Sequence, residues 1–173
     1  MLFRSSIEFQ VVFLQHLLGP RIRVLPILCG SYFQSIEHGG LPEDDPAVER
    51  ALGTLGEIAS REGDRLLWVL GVDMSHMGRR YGDPLSALAG RNEMTDVERR
   101  DRDRIERLSA GDSAGYWERI QENQDDLKWC GSAPIYTFLR AVPQARGELL
   151  HYQQWNIDPE SVVSFAGMRF HSR

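Results

Sequence analysis

Leu66–Gly82 reads LLWVLGVDMSHMGRRYG. Its first part, Leu66 to Val72, is an apolar run interrupted only by Gly71, the pattern of a strand buried on both faces. The run ends in Asp73, Ser75 and His76, and glycine and arginine follow at once. In open α/β sheets, ligands bind in the crevice beyond the carboxyl ends of the strands. An Asp and a His emerging there suit a metal ligand with its orienting partner, or a general base with its partner. The structural alternative is that Asp73 caps the strand-to-loop turn and His76 is an ordinary polar loop residue.

Upstream, Ser5-Ser6-Ile7-Glu8 has the form of a capping box. Ile7, Val11, Leu14 and Leu18 then recur at helical spacing, which predicts a helix over Ser6–Leu18, stopped by Gly19-Pro20. Phe9, Val12, Phe13 and Leu17 widen its apolar stripe, so burial on more than one side is expected. Val24–Cys29 reads as a strand, placed at an edge or bulge by Pro26, with Cys29 a small core residue. Asp45-Pro46 opens a second helix, Pro46–Glu62, with Val48, Leu52, Leu55 and Ile58 on its core face. Helix–strand–helix–strand order predicts a parallel pair joined by a right-handed crossover. His38, beside Gly39-Gly40, reads as a solvated loop residue.

Downstream, Thr95-Asp96-Val97-Glu98 repeats the capping-box pattern. The helix behind it is dense in opposite charges and reads as a solvated surface helix. A further helix from Asp112 or Ser113 carries Tyr116, Trp117 and Ile120. Cys130-Gly131 then precedes a helix containing Ser132, Pro134, Ile135, Phe138 and Leu139. A cysteine at a helix N-terminus is well placed for a nucleophilic or metal-binding sulfur, the alternative being a half-buried structural thiol. Gly147–Trp155 and Ser161–Phe170 read as two strands of an antiparallel hairpin. His151 and His171 lie within or beyond them and carry no motif.

The 173 residues fit a single domain, 1–173, with a workable core. A net charge of −5 argues against nucleic acid or an anionic membrane as the main partner. The apolar runs are too short to span a bilayer, and the N-terminus lacks the pattern of a signal peptide. Two cysteines in unlike contexts argue against a disulfide framework, so a cytoplasmic location is expected.

Taken together, SIEFQVVFLQHLLG, VLPILCG, GVDMSHMG, KWCGSAPIYTFL and SVVSFAGM resemble the Memo family, the protein B component of the AmmeMemoRadiSam system. The resemblance implies a fold similar to the class III extradiol dioxygenases: α/β, a mostly parallel sheet flanked by helices, with a C-terminal antiparallel strand pair. It also implies a metal-capable pocket at the strand ends, with copper or iron binding and a redox or oxygenase-like role; animal members are linked to cell motility signalling. Carried over to this sequence, the family's pocket histidine falls on His76 with Asp73 beside it, and its pocket cysteine falls on Cys130.

Family members are longer, and their first half supplies two further pocket histidines; this chain resembles the C-terminal half. A catalytic metal needs about three protein ligands and an open position. His76 and Cys130 are the expected ligands for copper, iron or zinc, with Asp73 a third ligand or an orienting group. Arg79 and Arg80 are candidates to hold an anionic substrate group, because a guanidinium pairs bidentately with carboxylates; surface solvation is the alternative. Two functional expectations follow. One is a partial or vestigial metal-binding pocket of redox or dioxygenase-like descent. The other is a non-catalytic interaction module of the same fold, pairing with another copy or another protein.

Overall fold

The computed structural model describes residues 3–172. Helices and one small sheet alternate along it: α1 (Phe3–Leu18), α2 (Phe33–His38), α3 (Pro46–Glu62), β1 (His76–Gly78), α4 (Glu93–Ala110), α5 (Ser113–Gln121), α6 (Ser132–Ala141), β2 (Ala145–Asp158) and β3 (Ser161–Ser172). The sheet has the order β1-β3-β2, and both pairings are antiparallel.

The expectation of a mostly parallel sheet is therefore corrected: the chain is α/β, with an antiparallel sheet. Neither Val24–Cys29 nor Leu66–Val72 forms a strand. A strand is a pairing as well as a pattern, and among the described residues neither segment exchanges backbone hydrogen bonds with a ladder partner. Pro26 has no N–H to offer. Leu66–Val72 is buried on one side only: Trp68, Leu70 and Val72 pack on the core, whereas Leu67 is 65% exposed and Val69 43%. Only the tail of the quoted stretch, His76–Gly78, is a strand, paired with Ser161–Val163.

The C-terminal hairpin forms as expected and is longer than the sequence indicated. β2 continues to Asp158, which lies opposite Ser161, so the connection is Pro159-Glu160 alone. The Asp158 carboxylate accepts from the N–H of Glu160 at 2.9 Å, a side-chain turn that pins the reversal. Gly78 packs against this turn at φ 104°, and a Cβ there would run into the Glu160 carbonyl. Only glycine meets both demands.

Helix α3 starts as the sequence indicates: Asp45 accepts from the N–H of Ala47 at 2.7 Å and Pro46 opens the first turn. Helix α1 starts at Phe3, so Ser5 lies inside its first turn; the side-chain cap expected from Ser5 falls outside the described side chains. Ile7, Gln10, Val11 and Leu14 are half-buried, and Gln10 lies against Gly71. The second apolar side of α1 is not covered, contrary to expectation: Phe9, Val12, Phe13 and Leu17 are exposed, and so is Leu18 at the end of the first stripe.

The core sits between the sheet and helices α4 to α6. Tyr116, Trp117 and Ile120 of α5 are fully buried, as their spacing predicts, and most of α6 is buried around its whole circumference. The reading of α4 as a solvated helix is corrected. Met94, Val97, Asp101, Arg104, Ile105 and Leu108 form a buried stripe along it. The opposite face carries the expected surface pairs, such as Arg99 with Asp96 and Arg102 with Glu98.

Candidate functional site

Residues 73–76 lie between β3 and the segment leading into α6. On one side Met74 N–H donates to the Ser164 carbonyl and Ser164 N–H to that of Ser75, at 3.0 and 2.9 Å. On the other, His76 N–H donates to the Leu127 carbonyl and Gly131 N–H to that of Asp73, at 2.9 and 3.0 Å. These bonds bring the Asp73/His76 loop and the Cys130-Gly131 turn side by side. Glycine suits position 131, because a Cβ would come within 2.9 Å of Val72 and Ile135 side-chain atoms.

His76 is mostly enclosed, its side chain 16% exposed, with its ring edge-on to Tyr81 at 4.9 Å between centroids. Nδ1 faces two carbonyls, Met74 at 2.9 Å and Lys128 at 3.0 Å. Carbonyls only accept, so the ring proton resides on Nδ1 and Nε2 is the nitrogen left for chemistry. A side chain of Asp73 lies 3.8 Å from Nε2, an ion-pair distance and too long for a direct hydrogen bond. Burial works against the imidazolium, but the Asp73 carboxylate and the Lys128 and Met74 carbonyls outweigh it, and the pKa is raised above 6.5.

Cys130 is an exposed free thiol one residue before Gly131, the N-cap of α6. Arg79 and Arg80 are both exposed, on the single helical turn that follows β1. Their N–H groups hold that turn to the hairpin: Arg79 donates to the Glu160 carbonyl at 3.3 Å and Arg80 to Ser161 Oγ at 3.1 Å. The Arg80 guanidinium lies 3.8 Å from the Asp158 carboxylate. Arg79 has no ion-pair partner among the described residues. Among the described residues no three His, Cys, Asp or Glu side chains are grouped so as to hold a metal ion. His38 is exposed and bonds the Gln34 carbonyl, His151 is exposed beside Gln153, and His171 lies opposite Arg146 in the hairpin.

The sequence reading missed a buried carboxylate behind residues 73–76 and 127–131. Asp101 is fully buried and accepts hydrogen bonds from Ser75 Oγ, from Trp129 Nε1 at 2.7 Å and from Tyr152 Oη at 2.8 Å. Its signal was legible: an acid at position 101 interrupts the apolar spacing Met94, Val97, Ile105, Leu108. Next to it, Arg104 is equally buried and pairs with Asp125 at 3.1 Å, while Ser132 donates to the other Asp125 oxygen at 3.0 Å. Desolvation raises the Asp125 pKa against the pull of Arg104. Asn123, Gln124, Asp125 and Lys128 all have positive φ. This run of left-handed residues concentrates backbone strain in the turn that delivers the Lys128 carbonyl and Cys130.

The profile of the family described as "Memo-like protein" matches residues 4–169. A "MEMO1 family protein" of Aquifex aeolicus is 27% identical over 170 residues, an alignment that covers 96% of this chain and 40% of that relative. The chain thus spans about 40% of the length of the curated relative it matches. A family profile matched across nearly every residue settles membership: the chain belongs to the Memo-like family.

Proposed function

We propose that this chain carries part of a metal-binding pocket of redox, dioxygenase-like descent, with His76 Nε2 and Cys130 Sγ as donors, the Met74 and Lys128 carbonyls orienting the imidazole through Nδ1, and the Asp73 carboxylate beside Nε2. The observation that supports this most directly is the pair of carbonyls on His76 Nδ1, which leave Nε2 as the ligating nitrogen. Metal-bound histidines are held in this way, the second ring nitrogen donating to a carbonyl or carboxylate. An imidazole and a thiolate suit copper, iron or zinc better than magnesium or calcium. Arg79 and Arg80, beside the same loop, are the groups assigned to an anionic substrate. Two protein donors fall short of a full site, so the ion is held weakly and oxygenase activity by this chain alone is low. The free thiols of Cys29 and Cys130 suit the cytoplasm, where we place the protein. Metal analysis of the purified chain tests the proposal: zinc, copper or iron retained by the wild type and absent from His76→Ala supports it, and equal content in both opposes it.

A second reading, an interaction module, draws on a different observation. Phe9, Phe13 and Leu17 of α1, Leu25, Leu28 and Leu67 are all more than half exposed. Isolated exposed apolar residues are ordinary, but so many on α1 and the unpaired segments favour association with a second copy or another protein. No helix among the described residues is long and apolar enough to cross a membrane.

A further inference from the structure

Asp101 is the one fully buried carboxylate among the described residues, and its donors come from three separate stretches of chain. Ser75 is the residue before His76. Trp129 is the residue before Cys130 and follows Lys128, whose carbonyl holds His76 Nδ1. One oxygen, Oδ1, accepts from both Ser75 Oγ and Trp129 Nε1, and Trp129 Nε1 also lies 3.0 Å from Ser75 Oγ. Tyr152, from β2, occupies the other oxygen, Oδ2. From this juxtaposition we infer that Asp101 is a positioning residue for the pocket: a single carboxylate oxygen clamps the histidine-bearing and cysteine-bearing segments in fixed register.

The physical argument begins with cost. A buried carboxylate loses its hydration, and among the described residues Asp101 has no ion-pair partner. Arg102 and Arg104 are directed to the rings of its donors, over Tyr152 at 4.8 Å and Trp129 at 5.2 Å. They lend positive potential without an ion pair. An apolar residue would fill this place more cheaply. A carboxylate oxygen, however, accepts two donors at once from two chain segments, and an aliphatic side chain cannot. A fully satisfied buried network rigidifies what it connects. The rigid connection lies one residue from His76 on one side and one residue from Cys130 on the other. Removing it leaves residues 73–76 and 127–131 joined by the backbone bonds of His76 to Leu127 and Gly131 to Asp73 without the side-chain clamp between them, and the His76 Nδ1–H to Lys128 carbonyl bond is the first contact to lengthen.

The inference rests on the reading that His76 and Cys130 share a pocket, and its test is made without metal. Nitrogen-15 NMR of the full chain follows the His76 ring Nδ1–H, whose exchange with water reports its bonds to the Met74 and Lys128 carbonyls, of which the Lys128 bond is the one that crosses between the two segments. The wild type shows a protected Nδ1–H. Ser75→Ala and Trp129→Phe each remove one donor to Oδ1 and speed that exchange at least tenfold, as does Asp101→Leu where it folds. Tyr152→Phe removes the donor to Oδ2 and leaves the His76 signal as in the wild type, whatever its effect on melting temperature. An unprotected Nδ1–H in the wild type overturns the inference. So does equal protection in Ser75→Ala and Trp129→Phe, or equal loss in Tyr152→Phe. A parallel zinc titration separates the two ideas. Zinc affinity reduced about tenfold in Ser75→Ala, within the range for groups that orient a ligand, supports both. A wild type that takes up no zinc while the NMR pattern holds sinks the metal reading and leaves the clamp standing.

Discussion

The peptide N–H of Gly131 donates to the carbonyl of Asp73 across 3.0 Å, tying the residue after Cys130 to the acid beside His76. This approach has no room for a side chain, since a Cβ at 131 meets Val72 and Ile135 atoms at 2.9 Å. Backbone strain is not the issue, because φ at Gly131 is −78°. Gly131→Ala is expected to cost about 1–3 kcal/mol, the usual range for overpacking, partly offset by a stiffer unfolded chain. It should also displace Asp73. Chemical denaturation measures the first effect, and chemical-shift changes confined to residues 72–76 and 129–135 the second. A variant as stable as the wild type with unchanged shifts would show that the contact is loose.

His76 gives a prediction with a definite sign. Its folded pKa lies above 6.5, so its contribution to stability is fully present below pH 6.5 and is lost as pH rises through the folded value. The wild type should therefore lose stability across that window relative to His76→Gln, which does not titrate. Melting curves of both proteins from pH 5 to 9 decide it, and parallel profiles would contradict the assignment.

The tyrosines predict an alkaline transition. Burial raises Tyr116, Tyr136 and Tyr152 above 10, and the carboxylates of Glu43 and Asp101 add to this at Tyr136 and Tyr152. Above pH 10 the unfolded chain gives up protons that the folded chain keeps, so stability falls with pH. The limiting slope is about 1.4 kcal/mol per pH unit for each such tyrosine. Tyrosinate absorbance should appear together with loss of the near-ultraviolet circular dichroism signal. Tyrosines that ionise near pH 10 in a still-folded protein would refute this.

How much of this was legible in the sequence divides along physical lines. Local signals were: Asp45-Pro46 starts α3, Cys130-Gly131 precedes α6, and the terminal strands pair as a hairpin. Long-range pairing was not. Leu66–Val72 has the composition of a buried strand, but no ladder partner among the described residues takes up its backbone groups. The α4 stripe was hidden by averaging, because charges on the outer face of Glu93–Ala110 outnumber the apolar residues on the inner one. Asp73, His76 and Cys130 stand out in the sequence individually, whereas the hydrogen bonds of Ser75 and Trp129 to Asp101 join residues 26 and 28 apart in the chain, which no local pattern announces.

The exposed side of α1 gives a prediction independent of the pocket. Phe13 and Leu17 are 63% and 75% exposed, so Phe13→Glu and Leu17→Glu should change stability by about 0.5 kcal/mol or less, the usual span for surface substitutions. If this face joins two copies, the wild type self-associates in sedimentation velocity and both variants sediment as monomers. A wild type that stays monomeric at every concentration tested leaves a different partner chain as the occupant for the interaction reading.

The central claim, that His76 and Cys130 are donors to one weakly held ion, meets its most direct test in titration calorimetry. Zn²⁺, Cu²⁺ or Fe²⁺ is added to the demetallated full chain, to His76→Ala and to Cys130→Ser, each checked for folding. The expected result is one ion per chain, bound more weakly than about 1 μM, short of the ~10 kcal/mol or more of a complete structural zinc site. Both variants should weaken binding at least tenfold. Binding unchanged in either variant would contradict the shared pocket, and tight one-to-one binding by the monomer would contradict its incompleteness.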